Sequence, residues 1–193
     1  MITIILAAGQ GKRLRPYTNE IPKCMVPLGG KSILHWQLQT LEKCGIYKNI
    51  IIVGGYKHNK IQTRGHRKVL NKNFMSTNMA STLFCAKEYM KNDEDLLICY
   101  GDIVYQPNVL KRLLKEKFPI NITADKSWKK LWNLRMEEPL EDAETFKLDK
   151  NQLVLELGRK PKSYQDIEAQ YIGLIYIKAE YVKKFSKFYN ALN

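Results

Sequence analysis

The sequence predicts an α/β protein built on a doubly wound, mostly parallel sheet. Three observations carry this. Short apolar runs at 2–6, 49–53, 95–100 and 120–124 alternate with helix-forming stretches, the order expected of successive strand–helix units. The first of these runs is an apolar, β-branched stretch rather than an alternating one, as in strands covered on both faces. Finally, 193 residues with 45% hydrophobic and 10% aromatic content suffice for one domain with a sizeable core, which excludes a disordered chain.

Taken in order, the strand at 2–6 leads into a turn through Ala7, Ala8, Gly9, Gln10 and Gly11. Small residues let backbone N–H groups approach an anion because no Cβ intervenes. Arg13 and Lys23 follow, the latter after Pro22, which stiffens the backbone. Oriented N–H donors, a guanidinium fork and an ammonium point charge together suit phosphate handling. A dinucleotide fingerprint is excluded because Leu14 stands where its third glycine belongs. A P-loop is excluded because Arg13 follows Gly11-Lys12 in place of Ser or Thr.

Gly29-Gly30 reads as a hairpin-like turn, and Ser32 as the N-cap of a helix over 33–44 with Leu34, Leu38 and Leu41 inward and Gly45 just beyond its end. The strand at 49–53 ends on Gly54-Gly55. A short helix at 57–63 and a strand at 68–70 are expected next, with His58 and His66 as surface residues. Residues 73–81 form a polar loop and 80–90 a helix, capped by Asn78 or Ser81. The strand at 95–100 runs straight into Gly101-Asp102. A carboxylate at the carboxyl end of a central strand points into the ligand crevice of such a sheet, where Mg²⁺ favours oxygen ligands, although a lone Asp after a strand also serves as a turn residue. A helix over 106–117, with Pro107 in its first turn, and a strand over 120–124 complete the alternation.

The remainder differs. Trp and acidic residues cluster over 125–157, and two apolar segments around Asp149-Lys150-Asn151 read as a β-hairpin. Gly158-Arg159-Lys160-Pro161, a strand over 170–177 and a helix over 180–189 follow. There is no internal repeat and no linker.

The net charge of +13 raises nucleic-acid binding, but the lysines are spread along the chain and no nucleic-acid motif is present, so anionic small molecules are the expected partners. Cys24, Cys44, Cys85 and Cys99 show no C-x-x-C spacing, which argues against zinc and a disulfide framework and for reduced, mostly buried thiols. No run reaches membrane-helix length and no charged leader precedes the first strand, so no membrane partner, no secretory signal and a cytoplasmic location are expected.

The string LAAGQGKRL at 6–14, followed by Pro22-Lys23, resembles the signature of the nucleotidyltransferases that activate sugar phosphates and small phosphorylated alcohols. Lys12 departs from the small residue usual before the Arg. The resemblance implies a Rossmann-like nucleotide-binding half at 1–126 and an acceptor-side half at 127–193 that carries the hairpin as an insertion. It implies in-line attack of an acceptor phosphate oxygen on the α-phosphorus of a nucleoside triphosphate, with pyrophosphate leaving. By residue, Leu6, Ala7, Ala8, Gly9, Gly11 and Gly101 would line the nucleotide. Arg13 would hold the departing pyrophosphate, Lys23 would neutralise charge near the α-phosphate, and Asp102 would hold Mg²⁺. Lys160, in a Lys-Pro like the family's E-K-P, would grip the acceptor phosphate with Arg159 assisting; the other reading is a solvated turn.

Residues 78–83 resemble the N-x-x-S-L segment of the family's cytidylyltransferases, which would bring Asn78 and Ser81 to the nucleotide; the other reading is an ordinary helix cap. Trp128, Trp132, Arg135, Pro139, Asp142 and Glu144, with residues 169–174, resemble members acting on phosphocholine, aminoethylphosphonate or phosphoglutamine. That implies CTP and an amine-bearing acceptor held by Trp128, Trp132, Glu144 and Glu168 through cation–π contact and charge pairing. Core tryptophans and a solvated acidic loop are the alternative. Because relatives continue into a strand with a second metal-binding Asp, the chain is expected to be C-terminally truncated or to complete the site with another carboxylate. Homodimerisation and a place in cell-surface polysaccharide biosynthesis are further expectations. The competing functions are a sugar-1-phosphate nucleotidyltransferase using UTP, dTTP or GTP, a non-catalytic nucleotide-binding module, and a basic nucleic-acid-binding protein.

Overall fold

The computed structural model describes residues 1–91, 93–134 and 136–192, so Arg135 lies outside the described residues. Backbone contacts divide the chain into two compact units, Met1–Asn121 with Gly173–Asn193, and Ile122–Ile172.

In the first unit, β1 (Ile2–Ala7) is buried along its whole length. The hairpin β2 (Pro27–Leu28) and β3 (Lys31–Ser32) turns on Gly29-Gly30. Helix α1 (Ile33–Lys43) starts where the Ser32 side chain accepts the His35 N–H at 3.2 Å. β4 (Ile50–Gly54), β5 (Arg67–Leu70), α2 (Met79–Phe84), β6 (Leu96–Tyr100) and α3 (Pro107–Leu113) follow. The chain leaves this unit along β7 (Ile120–Asp125). The second unit holds α4 (Trp128–Asn133) and the antiparallel pair β8 (Phe146–Leu148) and β9 (Val154–Leu157). The chain returns on β10 (Gln170–Ile177) and ends in α5 (Ala179–Ala191).

The six-stranded sheet runs β5-β4-β1-β6-β10-β7. β1 is parallel to β4 and β6, and β4 to β5, while β10 is antiparallel to β6. Because successive side chains alternate faces, the central strands feed two cores. Ile5, Ile50, Ile52, Leu97 and Cys99 meet Leu34, Leu38 and Leu41 of α1 and Leu110 and Leu113 of α3. Ile2, Ile4, Ile51, Val53, Leu96 and Ile98 meet Leu83 and Phe84 of α2 and Val182 of α5. The expected doubly wound, mostly parallel architecture is present.

Several expected boundaries move. The helix expected at 80–90 is α2 plus a separate 3-10 turn, Lys87–Tyr89. The Cys85 N–H is shared between the Ser81 and Thr82 carbonyls at 3.2 and 3.3 Å, and this shortened bonding tightens and ends the α-helix. The helix expected to reach 117 stops at Leu113, because past Leu114 the chain offers only Lys115, Glu116 and Lys117 and no apolar stripe. The helix expected at 57–63 is one 3-10 turn, His58–Lys60, entered through a left-handed Lys57. His58 is not a free surface residue: its Nδ1 is buried against Gly54, and burial, then the nearby Lys68, push its pKa down. Among the described residues no helix is long and apolar enough to cross a membrane.

Candidate functional site

Two glycines bring distant residues together beside the end of β1. Gly101 donates its N–H to the Leu6 carbonyl at 2.8 Å. Its backbone is so close to β1 that an added Cβ would lie 2.8 Å from the Leu6 oxygen and 2.9 Å from the Ala7 Cβ. Asp102 therefore emerges directly beside the turn that follows β1. Gly11 has a left-handed φ of 62°, and an added Cβ there would lie 3.0 Å from both the Lys23 Cβ and the Thr18 Cγ2. The Lys23 stem is thus packed against the glycine turn, at the start of a 3-10 turn, Lys23–Met25, that Pro22 leads into. Lys23 Nζ donates to Asp102 Oδ2 at 2.5 Å, across 79 residues of sequence, with both side chains about one-third exposed. Burial pushes the neighbouring Cys24 thiol up to about 12, so it is neutral beside this charged pair.

A frame unanticipated in the sequence holds the turn. Thr18, fully buried, donates its hydroxyl to the Gly11 carbonyl at 2.9 Å. Tyr56, just past Gly54-Gly55, clasps both ends: its N–H donates to the Ala8 carbonyl at 3.1 Å, and its hydroxyl lies 2.8 Å from the Asn19 carbonyl and 3.0 Å from that of Thr18. The roles of Thr18 and Tyr56 depend on one backbone hydrogen bond and three hydroxyl contacts, which leave no periodicity or motif to read. Arg13 sits exposed in the adjacent 3-10 turn, Lys12–Leu14.

Gly55 is hemmed in by the Phe74 side chain and the Ala8 carbonyl, which sets the 71–78 segment against the same turn. Asn78, at its end, accepts the Ser81 N–H at 3.0 Å and the Ser81 hydroxyl at 3.2 Å. The cap that formed one of the two readings of this pair is therefore present, at the start of α2.

The acceptor-side candidates all lie in the second unit. Trp128, expected to face a ligand, is instead only 4% exposed and forms a small core with Ala143, Ile167, Trp132, Leu140 and Tyr164. Its large apolar surface is used in packing, edge-on to Trp132 and stacked with Tyr164. Tyr164 carries the ammonium–aromatic contact instead: Lys129 Nζ stands 3.7 Å from its ring centroid and Glu138 accepts its hydroxyl at 2.8 Å. Lys160 Nζ donates to the Leu140 and Glu141 carbonyls at 2.9 and 2.5 Å, satisfying the end of the 3-10 turn Pro139–Glu141. Arg159 is exposed, with its guanidinium 3.9 Å from Glu156, and its backbone pairs with Thr145, next to Glu144. Glu168 accepts the Leu148 N–H at 3.1 Å. Glu144 and Glu168 are both exposed.

Asp102 suits a hard divalent cation. It is a partly exposed oxygen donor already facing a cation, the Lys23 ammonium. Among the described residues no group of three His, Cys, Asp or Glu gathers into an all-protein metal cage. A single carboxylate fits the way Mg²⁺ is usually held, through one or two carboxylates plus substrate phosphates.

Comparison with known proteins agrees with this geometry. The MobA-like NTP transferase domain matches residues 3–127. The CTP:phosphoglutamine cytidylyltransferase of Campylobacter jejuni is 40% identical over 202 residues, covering 100% of this chain and 79% of that protein. The choline-phosphate cytidylyltransferase of Streptococcus pneumoniae is 38% identical over 95 residues, 48% of this chain and 42% of that one. The fold also overlays a solved structure of the CTP:phosphocholine cytidylyltransferase of Streptococcus pneumoniae, with a TM-score of 0.66 and 21% identity over 97% of this chain and 75% of that one. With the domain match running from β1 through β7 and identity sustained along the whole chain, the protein belongs to the MobA-like NTP transferases and is a nucleotidyltransferase.

Proposed function

We propose that this enzyme is a Mg²⁺-dependent cytidylyltransferase that moves CMP from CTP to a small, amine-bearing phosphate or phosphonate. An acceptor phosphate oxygen forms a new bond to the α-phosphorus while the bond from that phosphorus to the bridging oxygen breaks and pyrophosphate leaves. The observation that carries the reading is the meeting of the glycine turn, Lys23 and Asp102 in one place on a nucleotidyltransferase fold. The N–H groups around Gly9 and Gly11 and the Leu6–Ala8 backbone, with Gly101 behind them, face the triphosphate. Arg13 draws off the pyrophosphate charge. Lys23 neutralises charge at the α-phosphate, where a preorganised cation acts most strongly. Asp102 is the protein ligand for Mg²⁺, which when bound screens the phosphate oxygens. Asn78 and Ser81 serve the nucleotide side while keeping their helix capped.

For the acceptor, 40% identity over the whole chain to a CTP:phosphoglutamine cytidylyltransferase supports the phosphoglutamine type ahead of the phosphocholine and aminoethylphosphonate types. Lys160 and Arg159 are assigned to its phosphate, and Trp132, Glu144 and Glu168 to its amine-bearing end. The same reading makes the enzyme cytoplasmic, where CTP is made, and a homodimer supplying cell-surface polysaccharide assembly.

The test is pyrophosphate release from CTP, UTP, dTTP and GTP against phosphoglutamine, phosphocholine, 2-aminoethylphosphonate and glucose 1-phosphate. Release with CTP and one amine-bearing acceptor is the expected result. Release with UTP or dTTP and the hexose phosphate moves the enzyme to the sugar class. CTP binding without release under every pairing leaves a non-catalytic nucleotide-binding module.

A further inference from the structure

We propose that Gln37, with Thr40 beside it, is a positioning residue that fixes the segment carrying Asp102. The inference rests on the reading of Asp102 as the metal-binding carboxylate. Two polar side chains of α1 and that of Cys44, just past its end, reach three backbone carbonyls of the chain that leaves β6. The Gln37 amide donates to the Tyr100 carbonyl at 2.9 Å. The Thr40 hydroxyl donates to the Tyr105 carbonyl at 3.3 Å, and the Cys44 thiol to the Pro107 carbonyl at 3.6 Å. Positions 37, 40 and 44 are spaced by three and four residues, so they project in a row along the helix. The carbonyls they hold bracket residues 101–106, which have no helix or strand of their own. On the other side, the Gly101 N–H is bonded to the Leu6 carbonyl of β1. Asp102 is thus set between β1 and α1, two residues beyond the first held carbonyl.

A second observation separates positioning from ordinary packing. Gln37 is fully buried, yet its Oε1 has no hydrogen-bond partner. Burying an unpaired polar atom disfavours the folded state. A methionine of nearly the same length would fill the space without that penalty but would forgo the bond to Tyr100, so the two effects on stability oppose each other. What the amide adds is one donor aimed at Tyr100, whose carbonyl fixes the direction in which Gly101-Asp102 leaves the strand.

The experiment uses the full chain and three variants: Gln37→Met, Thr40→Val, and Asp102→Asn as the reference. Mn²⁺ affinity is read by electron paramagnetic resonance in the presence of α,β-methylene-CTP, and thermal midpoints are measured on the same samples. Outer partners of a metal ligand typically change affinity about 10–100-fold when removed. Gln37→Met is expected to weaken Mn²⁺ binding by about tenfold while its thermal midpoint stays level or rises. Thr40→Val is expected to shift affinity in the same direction by less. If Asp102→Asn weakens Mn²⁺ binding but Gln37→Met and Thr40→Val do not, the positioning role is wrong and the metal reading stands. If both variants lose their thermal midpoints in step with their affinity, the row is structural and the proposal is overturned. If Asp102→Asn itself leaves Mn²⁺ binding unchanged, the metal reading falls and this inference with it.

Discussion

Replacing Gly101 by alanine should damage turnover more than it damages the fold. Gly101 does not have a positive φ, so an alanine there meets no backbone strain; the cost is purely one of space. The new methyl would stand 2.9 Å from the Ala7 Cβ and 2.8 Å from the Leu6 carbonyl oxygen. Optimal carbon–carbon separation is about 3.5–4.0 Å, so β6 must retreat from β1 by roughly 0.6–1.1 Å at this point. Forcing extra volume into a packed core costs about 1–3 kcal/mol. Asp102 is the next residue and moves with its neighbour, and a displacement near 1 Å in a reacting constellation can cost about 100-fold in rate. The assay pairs urea denaturation with steady-state pyrophosphate release from CTP. The expected pattern is a native-like folded variant, destabilised within the packing range, with kcat down by one to two orders of magnitude. A Gly101→Ala protein with full kcat would refute the claim that close contact between β6 and β1 sets the Asp102 carboxylate.

Other consequences follow from the same geometry. Lys23→Met removes the partner of Asp102, but a pair this exposed contributes under about 1 kcal/mol, so the denaturation midpoint should barely move while kcat falls by about 100-fold or more; near-normal turnover would remove Lys23 from the chemistry. Tyr56→Phe releases the Thr18 and Asn19 carbonyls at a cost of about 0.5–1.5 kcal/mol per hydrogen bond, and the loosened turn should raise the KM for CTP more than it lowers kcat. In the second unit, Asp166 is lowered to about 2 by Lys147 and then by the backbone N–H groups of Lys162 and Ser163. A carboxyl lowered on folding stabilises the native state above its unfolded pKa, near 3.9, and loses that contribution as pH falls through about 2. Acid titration followed by tryptophan fluorescence should therefore show a transition in that window, and Asp166→Asn should reduce its amplitude.

The grouping of the glycine turn with Lys23, proposed to face phosphate, was legible because its parts are close in sequence. Residues 6–14 and 22–23 lie within one strand, one turn and two short 3-10 turns, so local conformation nearly determines where their groups point. Asp102 was legible for another reason: a carboxylate at the carboxyl end of a central strand faces the crevice in any sheet of this kind. The supports were not legible. Thr18, Gln37 and Tyr56 act through hydrogen bonds to backbone carbonyls, and a hydrogen bond between residues 63 apart, such as that from Gln37 to Tyr100, leaves no trace in a linear pattern. Helix ends moved for a related reason. The break after Phe84 depends on how the Cys85 N–H is shared, a detail that no periodicity contains.

The acceptor side stayed open between two readings, and the ambiguity has a common physical source. A tryptophan and a lysine each have two uses: an aromatic face can bind a cation or fill a core, and an ammonium can grip a phosphate or end a helical turn. Composition cannot choose between these, because the same side-chain chemistry serves both. In the second unit the choice for Trp128 went to packing, since a unit of about fifty residues has few large apolar groups with which to build its small core of Trp128, Ala143 and Ile167. Lys160 went to the Leu140 and Glu141 carbonyls. These two cases differ in what a ligand could change. Exposing Trp128 would dismantle the core, so its role is fixed. Lys160 is exposed and tied only through its tip, so an arriving phosphate, with full negative charge, competes directly with two neutral carbonyls for the same ammonium. Its present partners therefore hold the ammonium in place without excluding the assignment to the acceptor.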